Sequence, residues 1–398
     1  MNTVTNATSS TNLDLLRCRM KEQGIDVLVC FKPETTFHLS GFNPIIYSHP
    51  VVAIVPAEGE PTLLIHALRD DHAKRESKIR NIRLYGAWST KVTMGPSWVK
   101  ALEQILSEAG MLSSTIGIEE DYLPVSYSRM LSAMAPSAVF ADASGILFRA
   151  RLIKSPAEIA NARIAAQLAD AGVERGIEVL AAGGSEREIT IEAMHAMNVK
   201  WTRDFPDVET GAFGSLEGGV QSALWAWCLT GDRILINCDS PSLTKPKAGD
   251  ITMIYIWAPA NGIYVENERA IATGTLPPEK QKAFECVLTA REEAAKLIAP
   301  GKPIADVFLS VKQTYERLGY GKYIPGRIGH GMGLGAHEEP SLDGKTTMLF
   351  EPGMMFTFEP NLRIPEWGGL QHSDTLLITG NGYESLTKTP NGLLQVNA

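Results

Sequence analysis

Apolar positions along the chain change period at recognisable places. Residues 12–24 carry them at helical spacing. From Asp26 to Phe31 they crowd into a strand-like run, followed by further runs at Val51–Val55, Thr62–Ile65 and Thr115–Ile118. Strand and helix patterns alternate to about residue 145, which predicts an α/β layer domain. Ser155-Pro156-Ala157-Glu158 then combines a capping serine, a proline suited to the first turn and a glutamate at the third position. A long helix is expected to start there, with Ile159, Ala160, Ile164, Ala165, Leu168, Ala169 and Val173 facing a core. Ser185 and Glu188 form a second capping box before Ile189–Met197, and helical patterns follow Pro277-Pro278 and Pro303. Strand patterns cover Ile251–Trp257, Gly262–Ala270, Met354–Glu359 and Asp374–Thr379, so the second half reads as α+β. The expected division is a domain over 1–152 and a second over 153–398.

Composition narrows the function classes. The 398 residues are 44% hydrophobic and 21% charged, in the ordinary globular range. With 37 Lys+Arg against 45 Asp+Glu the net charge is -8, so no global basic field is available for nucleic acid or an anionic membrane. No apolar run reaches the roughly 20 residues of a membrane helix, and the first residues lack the pattern of a secretion signal, so a cytoplasmic protein is expected. Five cysteines without CxxC spacing argue against a disulfide framework or a cysteine zinc site.

Polar residues that can carry chemistry concentrate in four otherwise apolar or Gly-rich segments, Trp225–Asp250, Asp250–Arg269, Gly329–Pro340 and Glu351–Asp374. In the third, His330 and His337 sit among four glycines that let backbone come close to a ligand. Ile328–Pro340, Glu351–Pro360 and Asp374–Thr379 resemble the pita-bread hydrolases, a family of creatinases, aminopeptidases P, prolidases and methionine aminopeptidases. The first half, notably His38-Leu-Ser-Gly-Phe42, resembles the N-terminal domain of its larger members. The resemblance implies a creatinase-type α/β domain followed by a pita-bread catalytic domain, α+β in class.

In the peptidases of that family two metals sit on two Asp, one His and two Glu. The matching positions here are Tyr255, Glu266, His330, Glu359 and Ser373, so two of the five ligands are replaced. That departure resembles the creatinase branch, which works without metal, so no cofactor and no dinuclear site are expected, while a single weak metal on Glu266, His330 and Glu359 stays open. On the same resemblance Glu268, directly before Arg269, and Glu359 are the catalytic carboxylates. Trp225-Ala226-Trp227 matches a creatinase Trp-x-Trp segment, and Cys238 falls on the position of its catalytic His. The thiol can serve as nucleophile, as acid/base or as an inert buried group. His330 is the expected base or stabiliser, with His337 as second candidate and Glu266 as a substrate contact. Trp225, Trp227, Trp257 and Tyr255 would form an apolar wall for a cation. The plainer reading of Glu268 and Glu359 is as partners of Arg269 and Arg363. Tyr47 and His49 match positions that complete the site of a partner subunit, which implies a homodimer.

The expected function is therefore metal-independent hydrolysis of a C–N bond in a small cationic or zwitterionic compound, such as a guanidino compound, a cyclic amidine like ectoine, or an amide. The alternatives are a metal-dependent Xaa-Pro peptidase with an altered site, a catalytically inactive pita-bread binding protein, and a lyase acting on an onium compound.

Overall fold

The computed structural model describes residues 9–214, 222–236 and 239–397. Two compact units are distinguished, Met1–Arg151 with Ala212–Gln221, and Leu152–Gly211 with Ser222–Ala398. Among the described residues no helix is long and apolar enough to cross a membrane.

The first unit is built on β1 (Val27–Cys30), β2 (Val52–Pro56), β3 (Thr62–His66), β4 (Asn81–Tyr85), β5 (Thr115–Ile118) and β6 (Val139–Asp142), in the order β4-β3-β2-β1-β5-β6. Every residue of β1 is buried, as the apolar run Val-Leu-Val-Cys requires of a strand covered on both faces. Ala101, Leu102 and Ile105 of the helix Trp98–Glu108 pack with Val27, Val29 and Ile54. On the other face, Leu16 and Met20 of the helix Ser9–Glu22 pack with Leu28 and Cys30.

The second unit opens with the helices Pro156–Ala181 and Glu186–Asp204, and both expected capping boxes are formed. The helices Pro278–Ala295 and Ile304–Arg317 start directly after Pro277 and Pro303. The strands are β7 (Trp225–Thr230), β8 (Ile251–Ala260), β9 (Ile263–Thr273), β10 (His330–Gly331), β11 (Glu338–Ser341), β12 (Met355–Phe358), β13 (Asn361–Ile364), β14 (Gly368–Gln371), β15 (Ser373–Ile378), β16 (Tyr383–Ser385) and β17 (Leu394–Val396). The main sheet runs β11-β10-β12-β15-β9-β8-β7, with β16 on β15 and β17 on β9, and β13 pairs β14 apart from it. Asn261 and Gly262, both at positive φ, make the two-residue turn that joins β8 to β9 and fixes their register.

One sheet face receives the helix Pro156–Ala181. A Cβ on Gly172 would lie 3.0 Å from Ile256 Cδ1, and one on Gly176 would lie 2.8 Å from Ile254 Cδ1, so small residues set the distance between helix and sheet. This corrects part of the expected core stripe. The buried positions include Ala162, Ala165, Ala166, Ala169, Gly172 and Gly176, while Ala160 is exposed and Ile159 and Ile164 are half-buried. Close approach to the sheet selects the small residues, which an apolarity pattern ranks too low. The α/β unit followed by an α+β pita-bread unit is the architecture the resemblance implies.

Candidate active site

The alternation of side chains along a strand assembles the site. In register, Trp225 opposes Trp257, Trp227 opposes Tyr255, Trp257 opposes Glu266 and Tyr255 opposes Glu268. Ser373 on β15 opposes Glu268, and Glu359 follows β12, whose Phe358 opposes Asp374. The intervening residues Cys228, Ile254, Ile256, Asn267 and Arg269 point to the other face by the same alternation. His330 opens β10 where two backbones almost touch. A Cβ on Gly329 would meet the Thr357 carbonyl oxygen at 2.1 Å, and one on Gly331 the Glu339 carbonyl oxygen at 2.1 Å. Only glycine on both sides of His330 allows this approach.

Four ionisable groups meet on that face. Glu266 is buried and accepts from the Ser373 hydroxyl at 2.5 Å on Oε1 and from the Trp257 indole N–H at 2.7 Å on Oε2. His330 Nε2 lies 3.5 Å from Glu266 Oε2 and 3.7 Å from Glu359 Oε1. Its Nδ1 is 3.1 Å from the Gly331 carbonyl, an acceptor that calls for the proton on Nδ1 and turns Nε2 toward the carboxylates. Gln371 joins the remaining pair: its amide nitrogen donates to Glu359 Oε2 at 2.9 Å and to Glu268 Oε2. The Gln371 carbonyl oxygen accepts from Arg363 Nη2 at 2.8 Å.

The electrostatics divide these groups in two. Burial raises the Glu266 carboxyl, but His330, Ser373 and Trp257 together outweigh it and hold it below its ordinary value. Burial likewise works against the imidazolium of His330, and Glu266 overcomes it, so that its pKa is raised. Burial and the nearby Glu266 push Glu359 up to about 8. Burial, then Glu266 and Glu359, raise Glu268 well above the carboxylate range. The chain on its own thus contains a Glu266–His330 ion pair beside two carboxyls that favour their protonated form.

The aromatic residues cluster. Trp225 and Trp257 stack with ring centres 5.0 Å apart, and Trp227 stacks on Tyr255 at 4.6 Å. Trp225 is 47% exposed and forms the outer rim, whereas Trp227 and Tyr255 are buried. His337 is exposed, with its ring 4.2 Å from that of His330. The expected residues Glu266, Glu268, His330, Glu359, Trp227, Tyr255 and Trp257 therefore share one face of the second unit. Tyr47 and His49 belong to the first unit: Tyr47 is buried and donates to Asn43 Oδ1 at 3.1 Å, and His49 stacks on His66 at 3.9 Å. Cys238 lies outside the described residues. The plainer reading of Glu268 as the partner of Arg269 fails, because Arg269 turns to the opposite face and pairs with Asp374 at 2.6 Å. Gln371 was not singled out in the sequence. Its one signal is its place two residues before Ser373, where the strand period aligns it with the site.

The donor set discriminates between metal arrangements. Donor atoms of Glu266, His330 and Glu359 all lie within 4.8 Å of one another and are buried, which fits one divalent cation with oxygen and imidazole ligands. Among the described residues, no second group of donors is placed for another ion. Ser373 brings a hydroxyl, already spent on Glu266, where the five-ligand set needs a carboxylate, and Tyr255 brings a phenol ring stacked on Trp227.

Residues 160–380 match metallopeptidase family M24, and residues 13–153 match the creatinase/prolidase N-terminal domain. The chain is 29% identical to an Xaa-Pro dipeptidase of Pyrococcus furiosus over 94% of this chain and 97% of the relative. It is 27% identical to the putative dipeptidase YkvY of Bacillus subtilis over 94% and 97%. Among solved structures, the prolidase from Pyrococcus furiosus superposes with a TM-score of 0.77 at 26% identity, covering 94% of this chain and all of that one. These matches overturn the expectation of a metal-independent hydrolase of non-peptide C–N bonds, since the relatives are dipeptidases and the family is one of metallopeptidases. The expectation gave two replaced ligand positions more weight than the pattern of the whole chain. The loss of a carboxylate at one strand position does not by itself assign a branch.

Proposed function

We propose, since this chain belongs to metallopeptidase family M24, that it hydrolyses dipeptides of the Xaa-Pro kind on the polar face of its second unit. The observation that carries the reading is the buried Glu266, His330 and Glu359 trio, whose donor atoms converge within 4.8 Å and would hold one divalent cation. Such a cation, when bound, supplies Lewis-acid polarisation of a carbonyl oxygen. The chain does the rest. Ser373 and Trp257 fix the Glu266 carboxylate by two hydrogen bonds. Glu268 is outside the three ligands but on the same face, where it can carry a proton to the leaving nitrogen of proline, a poor leaving group until protonated. Trp227, Tyr255 and Trp257 offer apolar ring faces to the pyrrolidine and to the substrate ammonium.

The test is incubation of the protein with Gly-Pro and Ala-Pro in Mn²⁺, Co²⁺ or Zn²⁺, following release of proline, with His330→Ala as control. Proline release that is lost in His330→Ala is the expected result. A protein that binds cation and releases no proline from either dipeptide refutes the reading. A second reading, dipeptide binding without turnover, is favoured by the engagement of Glu266 by Ser373. It predicts a binding isotherm with the dipeptide recovered intact. Pairing of two chains, with Tyr47 and His49 of one copy completing the pocket of the other, belongs to the same proposal. It is supported by the family resemblance alone, and equilibrium sedimentation of the protein tests the pairing.

A further inference from the structure

Gln371 sits between two buried carboxyl groups that strand geometry forces together. Its amide nitrogen donates to Glu359 Oε2 at 2.9 Å and to Glu268 Oε2, so both amide hydrogens are used. The orientation of the amide follows from its neighbours. The carbonyl oxygen accepts from Arg363 Nη2 at 2.8 Å, and the reversed amide would set an NH₂ against a guanidinium and an oxygen against two carboxyls. Glu268 and Glu359 are both buried, so few other groups can reach the space between their oxygens. The Gln371 amide nitrogen lies between them, within hydrogen-bond reach of an oxygen of each.

We propose that Gln371 is a positioning residue that stands where a cation would bridge Glu268 and Glu359, and that its amide, oriented by Arg363, keeps this part of the pocket closed to a metal ion. An ion bound to the same two oxygens at about 2.1 Å would occupy the volume of the amide nitrogen. Gln371→Glu removes the donors and adds a third carboxylate of nearly the same shape, which converts the spot into an oxygen-rich cation site. The inference shares with the proposed function the premise that the pocket admits divalent ions, but it depends on no substrate.

The experiment counts Mn²⁺ bound per chain by calorimetric titration of the full-length protein, the variants and wild type side by side. Gln371→Glu is expected to bind one Mn²⁺ more than wild type, whatever the wild-type count, and Gln371→Lys, which puts a side-chain cation there, is expected to bind no more than wild type. Should Gln371→Glu fail to fold, Gln371→Ser, which deletes the donors and leaves room for a hydrated ion, is expected to show the same gain at lower affinity. A folded Gln371→Glu or Gln371→Ser with the wild-type count overturns the inference, as does a gain in Gln371→Lys. Proline release measured on the same samples separates the two claims: a variant that gains an ion in a protein without dipeptidase activity sinks the proposed function and leaves the role of Gln371 standing.

Discussion

Asp374 offers the sharpest test of what holds the face with Glu266 and His330 in place. The residue is buried on the side of β15 away from Glu266 and Glu268, one position after Ser373. Its Oδ1 accepts from Arg269 at 2.6 Å and from the Thr387 hydroxyl at 2.7 Å, and its Oδ2 accepts from Arg291 at 2.5 Å. Asp374→Asn keeps the shape and removes the charge, leaving two buried guanidiniums with no anion. Breaking one buried pair costs about 3–5 kcal/mol. The cost should not double here, because each arginine keeps other acceptors. Arg269 retains the carbonyls of Glu268, Ser373, Thr389 and Pro390, and Arg291 those of Phe358 and His372. We therefore expect a loss of about 3–5 kcal/mol in urea unfolding at pH 7 followed by tryptophan fluorescence, and a fall in Tm of about 10 °C. The pH dependence has a definite sign. Burial opposes ionisation of Asp374, but the two arginines outweigh it and hold the carboxyl below its ordinary range. Its contribution is therefore complete above the unfolded value of about 3.9 and is lost only as pH falls through the lower folded value. A variant within about 1 kcal/mol of wild type at pH 7 would refute the reasoning, since desolvation would then have cancelled the pairing.

Further expectations concern the pocket and its support. Trp257→Phe removes the indole donor to Glu266 while keeping a ring, and should weaken Mn²⁺ binding by about 10–100-fold in calorimetry, with no change meaning that the hydrogen bond does not orient the ligand. Saturating Mn²⁺ at about 100 times its Kd should raise the unfolding free energy by about 2.7 kcal/mol, and removal of the ion by dialysis against chelator should abolish the gain. An equal gain in His330→Ala would place the ion elsewhere. The double variant Tyr255→Asp with Ser373→Glu rebuilds the five-ligand set and should raise the Mn²⁺ count from one to two by plasma mass spectrometry, while an unchanged count would show that the pocket excludes a second ion for another reason. Gly172→Val would press a branched side chain onto Ile256 and Met197, each already 3.0 Å from an added Cβ, at a cost of about 1–3 kcal/mol in urea unfolding. A neutral result would mean that the helix can lift from the sheet.

Much of this protein was legible in the sequence because it is local. Ser155 with Glu158 and Ser185 with Glu188 cap their helices through atoms three residues apart, and Pro278–Ala295 and Ile304–Arg317 begin where their prolines say. The β8–β9 hairpin follows from its turn, and the strand period then puts Glu266 and Glu268 on one face with Tyr255 and Trp257. The motif around His330 was legible for a similar reason, since glycines at 329 and 331 are dictated by the backbones they touch. The sequence did not disclose how these groups divide their charges, and only the spacing of Gln371 from Ser373 hinted at the amide that separates Glu268 from Glu359. Arg269 and Arg363 are equally plausible carboxylate partners on paper, yet strand alternation sends one to Asp374 on the far face and lets the other orient Gln371. The sequence by itself determined the elements, the fold class and the family, because capping, turn chemistry and hydrophobic period act over a few residues. The tertiary structure decided which side chains share a face and which polar groups neutralise one another, because hydrogen bonds such as those of Gln371 to Glu268 and Ser373 to Glu266 join residues more than 100 positions apart.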